Sequence, residues 1–179
     1  VDGADRMRKM IQALLAYSRV DTRGESFEPI EVRPLLEQVT DGLAVKIDEA
    51  DATVSLPATA TTVTGDHSQL AQLFQNLIDN GIKYNTDRPE IDISVRHDDE
   101  MVVIDITDNG IGMEADQIDD IFEVFQRLHT REEFDGTGIG LSICRKIVDR
   151  HDGTIDVQST PGEGSTFTIT LPHGEQTDE

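Results

Sequence analysis

The sequence predicts an α+β fold, a two-layer sandwich in which a mixed, mostly antiparallel sheet carries helices on one face. Three observations predict it. Two segments alternate apolar and polar residues at period two, and each folds back on itself. The first runs through Ile91, Ile93 and Val95, turns at Asp98-Asp99-Glu100, and returns through Val102, Ile104 and Ile106. The second joins residues 154–159 to residues 165–171 through Thr160-Pro-Gly-Glu-Gly164. Other segments repeat apolar residues at spacings of three and four, as one-sided helices do. The two kinds of element come in mixed order, which is the pattern of α+β domains.

In chain order, Met7, Met10, Ile11, Leu14 and Tyr17 predict a one-sided helix over residues 5–20, ended by Asp21-Thr-Arg-Gly24. Two readings of it stand: a terminal helix lying on the domain's own core, or a fragment of a helical bundle. The narrow stripe and the position ahead of the α/β pattern favour the bundle. Phe27 to Val32 reads as a short strand broken by Pro29. Pro34 to Ala50 reads as one amphipathic helix, with Leu35, Leu36, Val39, Leu43 and Ile47 inward. Short strands are expected around residues 54–56 and 62–64. Asp66 followed by Gln69 resembles a capping box that opens a long helix to about Tyr84. A short helix is expected over residues 114–121, then a lid of little pattern, then a helix from Gly138 to about Arg150. The second hairpin closes the fold.

Composition limits the function classes. With 36 acidic against 15 basic residues the formal net charge is −21, and only four lysines occur. Self-repulsion of that size weakens a compact state unless salt screens it, and the Debye length falls to about 3 Å at 1 M salt. A halophilic cytosol is the expected setting. The absence of a basic patch argues against a nucleic-acid partner. No stretch approaches the roughly 18 consecutive apolar residues of a membrane span, so no membrane contact by this chain is expected. The lone Cys144 excludes an internal disulfide, suits a reducing cytoplasmic compartment, and reads as a small core residue. The start, Val1-Asp2-Gly3-Ala4, reads as a cut inside a longer protein. Histidines 67, 97, 129, 151 and 173 are scattered without zinc-site spacing.

The chemistry-bearing residues lie in and around the lid. Asp108-Asn-Gly110-Ile-Gly112-Met113 leaves a strand sharply, and 23 residues later Gly136-Thr137-Gly138-Ile139-Gly140-Leu141 opens a helix. Glycine lets backbone amides approach an anion at a helix N-terminus, so the pair fits a mobile lid over a phosphorylated ligand. The second turn is neither a P-loop, since no Gly-Lys-Ser/Thr follows, nor a Rossmann turn, since no strand directly precedes it. On the helix from Asp66, the residues Gln69, Asn76, Asn80 and Lys83 share a polar face. An amide oxygen suits Mg²⁺ and a lysine one turn on suits a terminal phosphate. A solvated polar face is the alternative, which the two glycine turns disfavour. Asp108 continues the apolar face of Val102, Ile104 and Ile106 and needs a partner there, such as an exocyclic amine of adenine. Alternatively the strand has ended and Asp108 only caps the turn. Arg127 and Arg131 in the lid are placed to neutralise phosphate, with Phe122 and Phe125 as lid anchors. Together these features point to ATP.

Four ordered boxes then resemble the catalytic ATP-binding domain of sensor histidine kinases, within the ATPase superfamily shared with gyrase-type, chaperone and mismatch-repair proteins. They are Gln75-Asn76-Leu-Ile-Asp-Asn80-Gly-Ile-Lys83-Tyr84, Asp108 to Gly112, Ile121-Phe122-Glu-Val-Phe125, and Gly136 to Leu141. The ending Gly164-Ser-Thr166-Phe-Thr-Ile-Thr-Leu-Pro172 also fits, and Phe125 to Glu133 further resembles phytochrome-like kinases. The resemblance covers about residues 25–172 and implies a Bergerat-type ATP-binding fold. It implies Asn80 on Mg²⁺, Lys83 and Arg127 near phosphates, and Asp108 with Thr166 around adenine, Thr166 through water. It implies Tyr84 bordering the base, and the nucleotide enclosed by Gly110, Gly112, Met113 and the turn Gly136, Thr137, Gly138, Ile139, Gly140 and Leu141. Asn76 stands where hydrolysing relatives carry a glutamate base, and an amide cannot take that proton, so ATP is kept for transfer. Asn76, Asn80, Lys83 and Arg127 are therefore the expected catalytic set.

Residues 7–20 resemble the end of the second helix of the dimerisation and phosphoacceptor domain. The expected division is thus residues 1–22 and residues 23–179. No histidine here has the phosphoacceptor context, so the implied activity is a protein-histidine kinase whose target histidine, and response regulator receiver, lie elsewhere. Any membrane tether also lies outside. Two other readings stay open: a serine kinase of the anti-sigma type, and a nucleotide-sensing module that transfers nothing.

Overall fold

The computed structural model describes residues 2–123 and 139–175. Its elements are α1 (Asp2–Thr22), β1 (Glu28–Glu31), α2 (Val32–Gly42), α3 (Ala44–Glu49), β2 (Thr53–Ser55), β3 (Thr62–Gly65) and α4 (His67–Lys83). There follow β4 (Glu90–Asp98), β5 (Met101–Asp108), α5 (Ala115–Ile118), α6 (Gly140–Arg150), β6 (Thr154–Thr160) and β7 (Gly164–Pro172). The main sheet has the order β2-β4-β5-β7-β6, with β2 parallel to β4 and every other pair antiparallel. This is the predicted sandwich.

Period-two alternation and register together build the core face. Val95, Ile104, Ile169 and Ile155 lie side by side across the strands, and so do Ile93, Ile106, Phe167 and Val157. Against these rows α4 buries Leu70, Leu73, Phe74, Leu77 and Ile78, and α6 buries Ile143, Cys144, Ile147 and Val148. The other face carries polar pairs, such as Thr168 donating to Asp105 (2.6 Å).

Several local expectations need correction. The helix expected over residues 34–50 starts earlier and is two helices. Val32 opens α2, and Pro34 falls in its first turn, where a missing N–H costs no helical bond. Gly42 weakens the next turn, and Leu43 leaves helical geometry (φ −99°, ψ 6°) before α3 resumes. Strand β1 keeps Pro29 because β1 pairs only with β3, so it is an edge strand. The capping box at α4 is half formed. The Asp66 carboxylate accepts from the Gln69 amide (3.1 Å), but the Gln69 side chain turns away to the carbonyl of Val20. A complete capping box occurs instead at α5, between Glu114 and Gln117.

Helix α1 packs on the domain through Ala13, Ala16, Tyr17 and Val20, while Met7, Ile11, Leu14 and Leu15 stay exposed.

Candidate functional site

The next inward row of the sheet is Ile91, Asp108, Ser165 and Ser159. Here the apolar face turns polar at the end of β5. Asp108 is therefore on the core face and not merely a turn cap. Its Oδ1 accepts from the amide of Gly110 (2.9 Å) and from that of Ser165 (3.3 Å). Among the described residues no cation pairs with this carboxylate. Burial raises its pKa above the ordinary aspartate value, and the two amides only partly offset that.

Backbone packing forms the floor beside Asp108. A Cβ on Gly110 would stand 2.5 Å from the carbonyl of Tyr84, so the strand end can approach the α4 terminus only with glycine there. Ile111 donates to that same carbonyl (3.0 Å). Gly112 sits at φ +70°, and a Cβ there would collide with the backbone of Thr160. Gly81, the α4 residue facing Asp108, brings the helix close to the strand. Met113 is buried, and its amide donates to Ser159 Oγ (2.8 Å). Ser159 and Ser165 share a hydroxyl contact of 2.7 Å.

Thr166 does not join this group. It pairs with Thr107 in the next register position and shares a 3.0 Å hydroxyl contact with it on the opposite face. Ser165 holds the place beside Asp108 instead. Sequence reading missed Ser159 and Ser165, although aligning the two hairpins with β5 would have placed both on the face of Asp108.

On α4, Asn76, Asn80 and Lys83 are half-buried at spacings of four and three, hence on one face. Asn76 donates from Nδ2 to the carbonyl of Gly140 (3.3 Å), pinning α4 to the first turn of α6. Lys83 Nζ lies 5.3 Å from the centre of the Tyr84 ring, and the Tyr84 amide caps α4 by donating to Asn80 O (3.0 Å). Gln69, expected on the same polar face, is instead buried more than one turn before Asn76. Ile139 is fully buried, and Ser142 donates to its carbonyl (2.7 Å). Gly140 and Leu141 begin α6, which delivers its N-terminal amides beside the α4 polar face. Phe122 lies edge-on to Phe167 (6.5 Å) and under the Arg145 guanidinium (5.5 Å). Arg127, Gly136, Thr137 and Gly138, like Phe125 and Arg131, lie outside the described residues.

Cys144 is fully buried behind Asn76, and burial pushes its thiol up to about 12, so it is inert core. No cluster of three or more His, Cys, Asp or Glu suited to a metal occurs among the described residues. An open cleft of about 440 Å³ lined by His97, His173, Arg33 and Thr61 lies at the far end of β4 from Asp108. Its distance from the polar row separates it from this site.

The arrangement brings a half-buried carboxylate, an amide-and-lysine helix face and a helix N-terminus to one end of the sheet. It matches known proteins. Residues 65–175 match the family described as histidine kinase-, DNA gyrase B- and HSP90-like ATPases. Over 175 residues the chain is 42% identical to cyanobacterial phytochrome A of Nostoc sp., which covers 97% of this chain and 23% of that protein. Over 178 residues it is 41% identical to the phytochrome-like protein Cph1 of Synechocystis sp., with the same coverages. The chain thus spans about a quarter of the length of these relatives. It also resembles the solved structure of full-length ShkA in complex with AMPPNP (TM-score 0.83, 21% identity, 99% of this chain and 38% of that one), which shows the fold alone. A family match across most of the chain, with relatives above 40% identity along 97% of it, places it: the chain belongs to the histidine kinase-, DNA gyrase B- and HSP90-like ATPases, as a homologue of the ATP-binding domain of sensor histidine kinases.

Proposed function

We propose that this chain holds ATP and Mg²⁺ and presents the γ-phosphoryl group to a histidine on a dimerisation helix outside it, for relay to a response regulator receiver domain. The observation that carries the reading is Asp108, a half-buried carboxylate on the core face with its hydrogen bonds on one oxygen and no paired cation among the described residues. Such a group is costly to keep unless a ligand donor meets it, as an adenine amine does. Adenine would sit over Asp108, Gly110, Gly112 and Met113, with Tyr84 at its border and Ser165 rather than Thr166 as the neighbouring hydroxyl. Lys83 and Arg127 would neutralise phosphate, and the glycines of residues 136–140 with Leu141 would close over it.

The donor set fits Mg²⁺. One amide oxygen from Asn80 is enough, because this ion keeps waters and takes phosphate oxygens beside one or two protein ligands. When bound it supplies charge neutralisation for transfer. Asn76 spends its amide on the Gly140 carbonyl and offers no base for water.

The 36% identity to the sensory kinase SasA of Synechococcus elongatus supports a kinase role. The likeness to ThkA, a histidine kinase solved in complex with the response regulator TrrA, fits the relay reading. In this reading residues 1–22 are the end of the second bundle helix and residues 23–179 the catalytic domain, acting in the cytoplasm without nucleic acid. No described helix is long and apolar enough to cross a membrane.

Calorimetry of ATP with and without Mg²⁺ tests the site. Asn80→Ala should abolish the Mg²⁺-dependent tightening while leaving the fold intact. Equal Mg²⁺ dependence in the variant removes Asn80 from the role, and no ATP binding by folded wild type removes the function. The charge of −21 further supports a working environment of concentrated salt. Melting temperature should rise with KCl from about 0.1 M to about 1 M, and a flat or falling trend refutes this.

A further inference from the structure

The last turn of α1 is held by side chains from the two helices that build the site. Gln69 of α4, buried, donates from Nε2 to the carbonyl of Val20 (2.7 Å) at the C-terminal end of α1, where helix carbonyls run out of backbone partners. Lys146 of α6 donates to the carbonyl of Tyr17 (3.2 Å), pairs with Asp21 (3.0 Å) and lies 4.2 Å from the Tyr17 ring centre. Arg150 completes the set. It donates from Nη1 to Gln69 Oε1 (2.7 Å) and Asp66 Oδ2 (3.1 Å), and from Nη2 to the carbonyl of Glu25 (3.0 Å). Its guanidinium covers the Phe27 ring at 4.8 Å.

The Gln69 amide is thus engaged at both ends, with α1 through its nitrogen and with α6 through its oxygen. Because Lys146 ties the same α1 turn to α6, these contacts hold together only while α4 and α6 keep one relative position. The same two helices are joined again where Asn76, midway along α4, meets Gly140 at the start of α6, one turn before Asn80. Gln69 and Asn80 are eleven residues apart, about 16 Å along one rigid helix.

We propose that Gln69, Lys146 and Arg150 form a clasp through which nucleotide in the site tightens the docking of α1 and of residues 23–27. The proposal rests on the ATP-binding reading above. A ligand spanning Asp108, the α4 face and the first turn of α6 restrains the α4–α6 pair. It thereby meets in advance part of the ordering cost of the clasp. The coupling is reciprocal, so a clasp that holds α1 raises nucleotide affinity by the same factor. A passive staple holds α1 equally with or without nucleotide. The Lys146–Asp21 pair, with Asp21 exposed, contributes little alone, and the buried amide bonds carry the effect.

Amide hydrogen exchange on the whole chain, with and without a non-hydrolysable ATP analogue and Mg²⁺, decides between them. Two variants open the clasp by different routes. One is the double variant Gln69→Ala with Lys146→Ala. The other is Gly24→Ala, whose new methyl collides with the pinned Arg150 guanidinium from outside both helices. Circular dichroism and urea melts establish that each is folded. Without nucleotide, exchange over residues 19–24 should quicken about tenfold in both variants. The analogue should slow that exchange in wild type by about fivefold or more, lose this effect in both variants, and bind Gly24→Ala more weakly by a matching factor. Unchanged exchange in the variants overturns the clasp. Calorimetric binding that leaves wild-type exchange over residues 19–24 unaltered overturns the coupling and makes the contacts a staple. A folded chain that binds no analogue overturns the ATP reading and the coupling together, while the nucleotide-free comparison still judges the clasp.

Discussion

Asp66 and Asp108 both stand at the end of a strand that turns into a glycine-lined or helical segment, yet they are built for opposite ends. Asp66 is 1% exposed, and every oxygen is engaged: Oδ1 by the Gln69 amide, Oδ2 by the Glu25 amide and the Arg150 guanidinium. Burial alone would raise its pKa, but the two amides and the guanidinium outweigh it and hold the carboxyl below the ordinary range. Asp108 has two amides on one oxygen, no cation among the described residues, and a raised pKa from burial. One carboxylate stabilises the fold by being satisfied. The other keeps one oxygen without a hydrogen-bond partner among the described residues, which suits the ligand-facing role proposed for it. The two aspartates differ in how many of their oxygens the fold engages, and that difference supports the binding role proposed for Asp108.

The largest effect should come from Asp66→Ala. It strips the cap of α4 and leaves Arg150 without its carboxylate, costing about 3 kcal/mol of folding stability in urea melts. A loss below about 1 kcal/mol would show that the contacts at Asp66 are ornamental. Asp108→Asn should show the reverse pattern. The amide oxygen still accepts from Gly110 and Ser165 while the desolvated charge is gone, so stability without ligand should hold or rise. ATP affinity should fall by about 1.5–3 kcal/mol, the worth of hydrogen bonds to a charged group. Calorimetry and urea melts on one preparation measure both, and a variant that loses stability but not affinity reverses the assignment.

A smaller effect concerns His151, packed in the Asp66 region and stacked on Phe27 at 4.5 Å. The Asp66 amide donates to its Nε2 (2.9 Å), while its Nδ1 lies 2.7 Å from the Ile147 carbonyl. The ring is therefore neutral, with its proton on Nδ1. Burial is the main cause that holds its pKa below the ordinary 6.5, helped by Arg150 and opposed by the Ile147 bond. The folded chain then binds fewer protons than the unfolded chain just below pH 6.5, so this contribution is whole above that value and is lost as pH falls through the folded pKa. The difference in urea midpoint between wild type and His151→Gln should shrink from pH 7.5 toward pH 5, about the range where histidine titrates. A difference that grows instead would mean the ring is charged in the fold.

Much of this was legible in the residues because it depends on local periodicity. Alternation at residues 91–106 and 154–171, helical spacing over residues 66–84 and the glycine turn after β5 all act within a few residues of themselves. The same locality let Asp108 be placed on the core face, since a strand's period of two needs no partner. The readings that went astray needed a neighbour distant in sequence. Thr166 and Ser165 differ by one position, and only the register of β7 against β5 says which of them stands beside Asp108. The capping box at Asp66 failed because the Gln69 amide found a stronger pair of partners in Val20 and Arg150, 49 and 81 residues away. The break at Leu43 could not be told from an unbroken helix, because the apolar spacing continues through it.

By itself, then, the sequence determined most of the strands and helices, which faces are apolar, and that a glycine turn stands at the end of β5. Those properties follow from backbone period, side-chain polarity and the conformations open to glycine. Tertiary structure alone decided which polar groups meet. It set Ser165 rather than Thr166 beside Asp108, spent the Asn76 amide on Gly140, and gave Asp66 the Arg150 cation while placing none on Asp108 among the described residues. Hydrogen bonds and charge pairs depend on distances of a few ångströms between residues far apart in the chain, and only the packed sheet and helices bring those distances about.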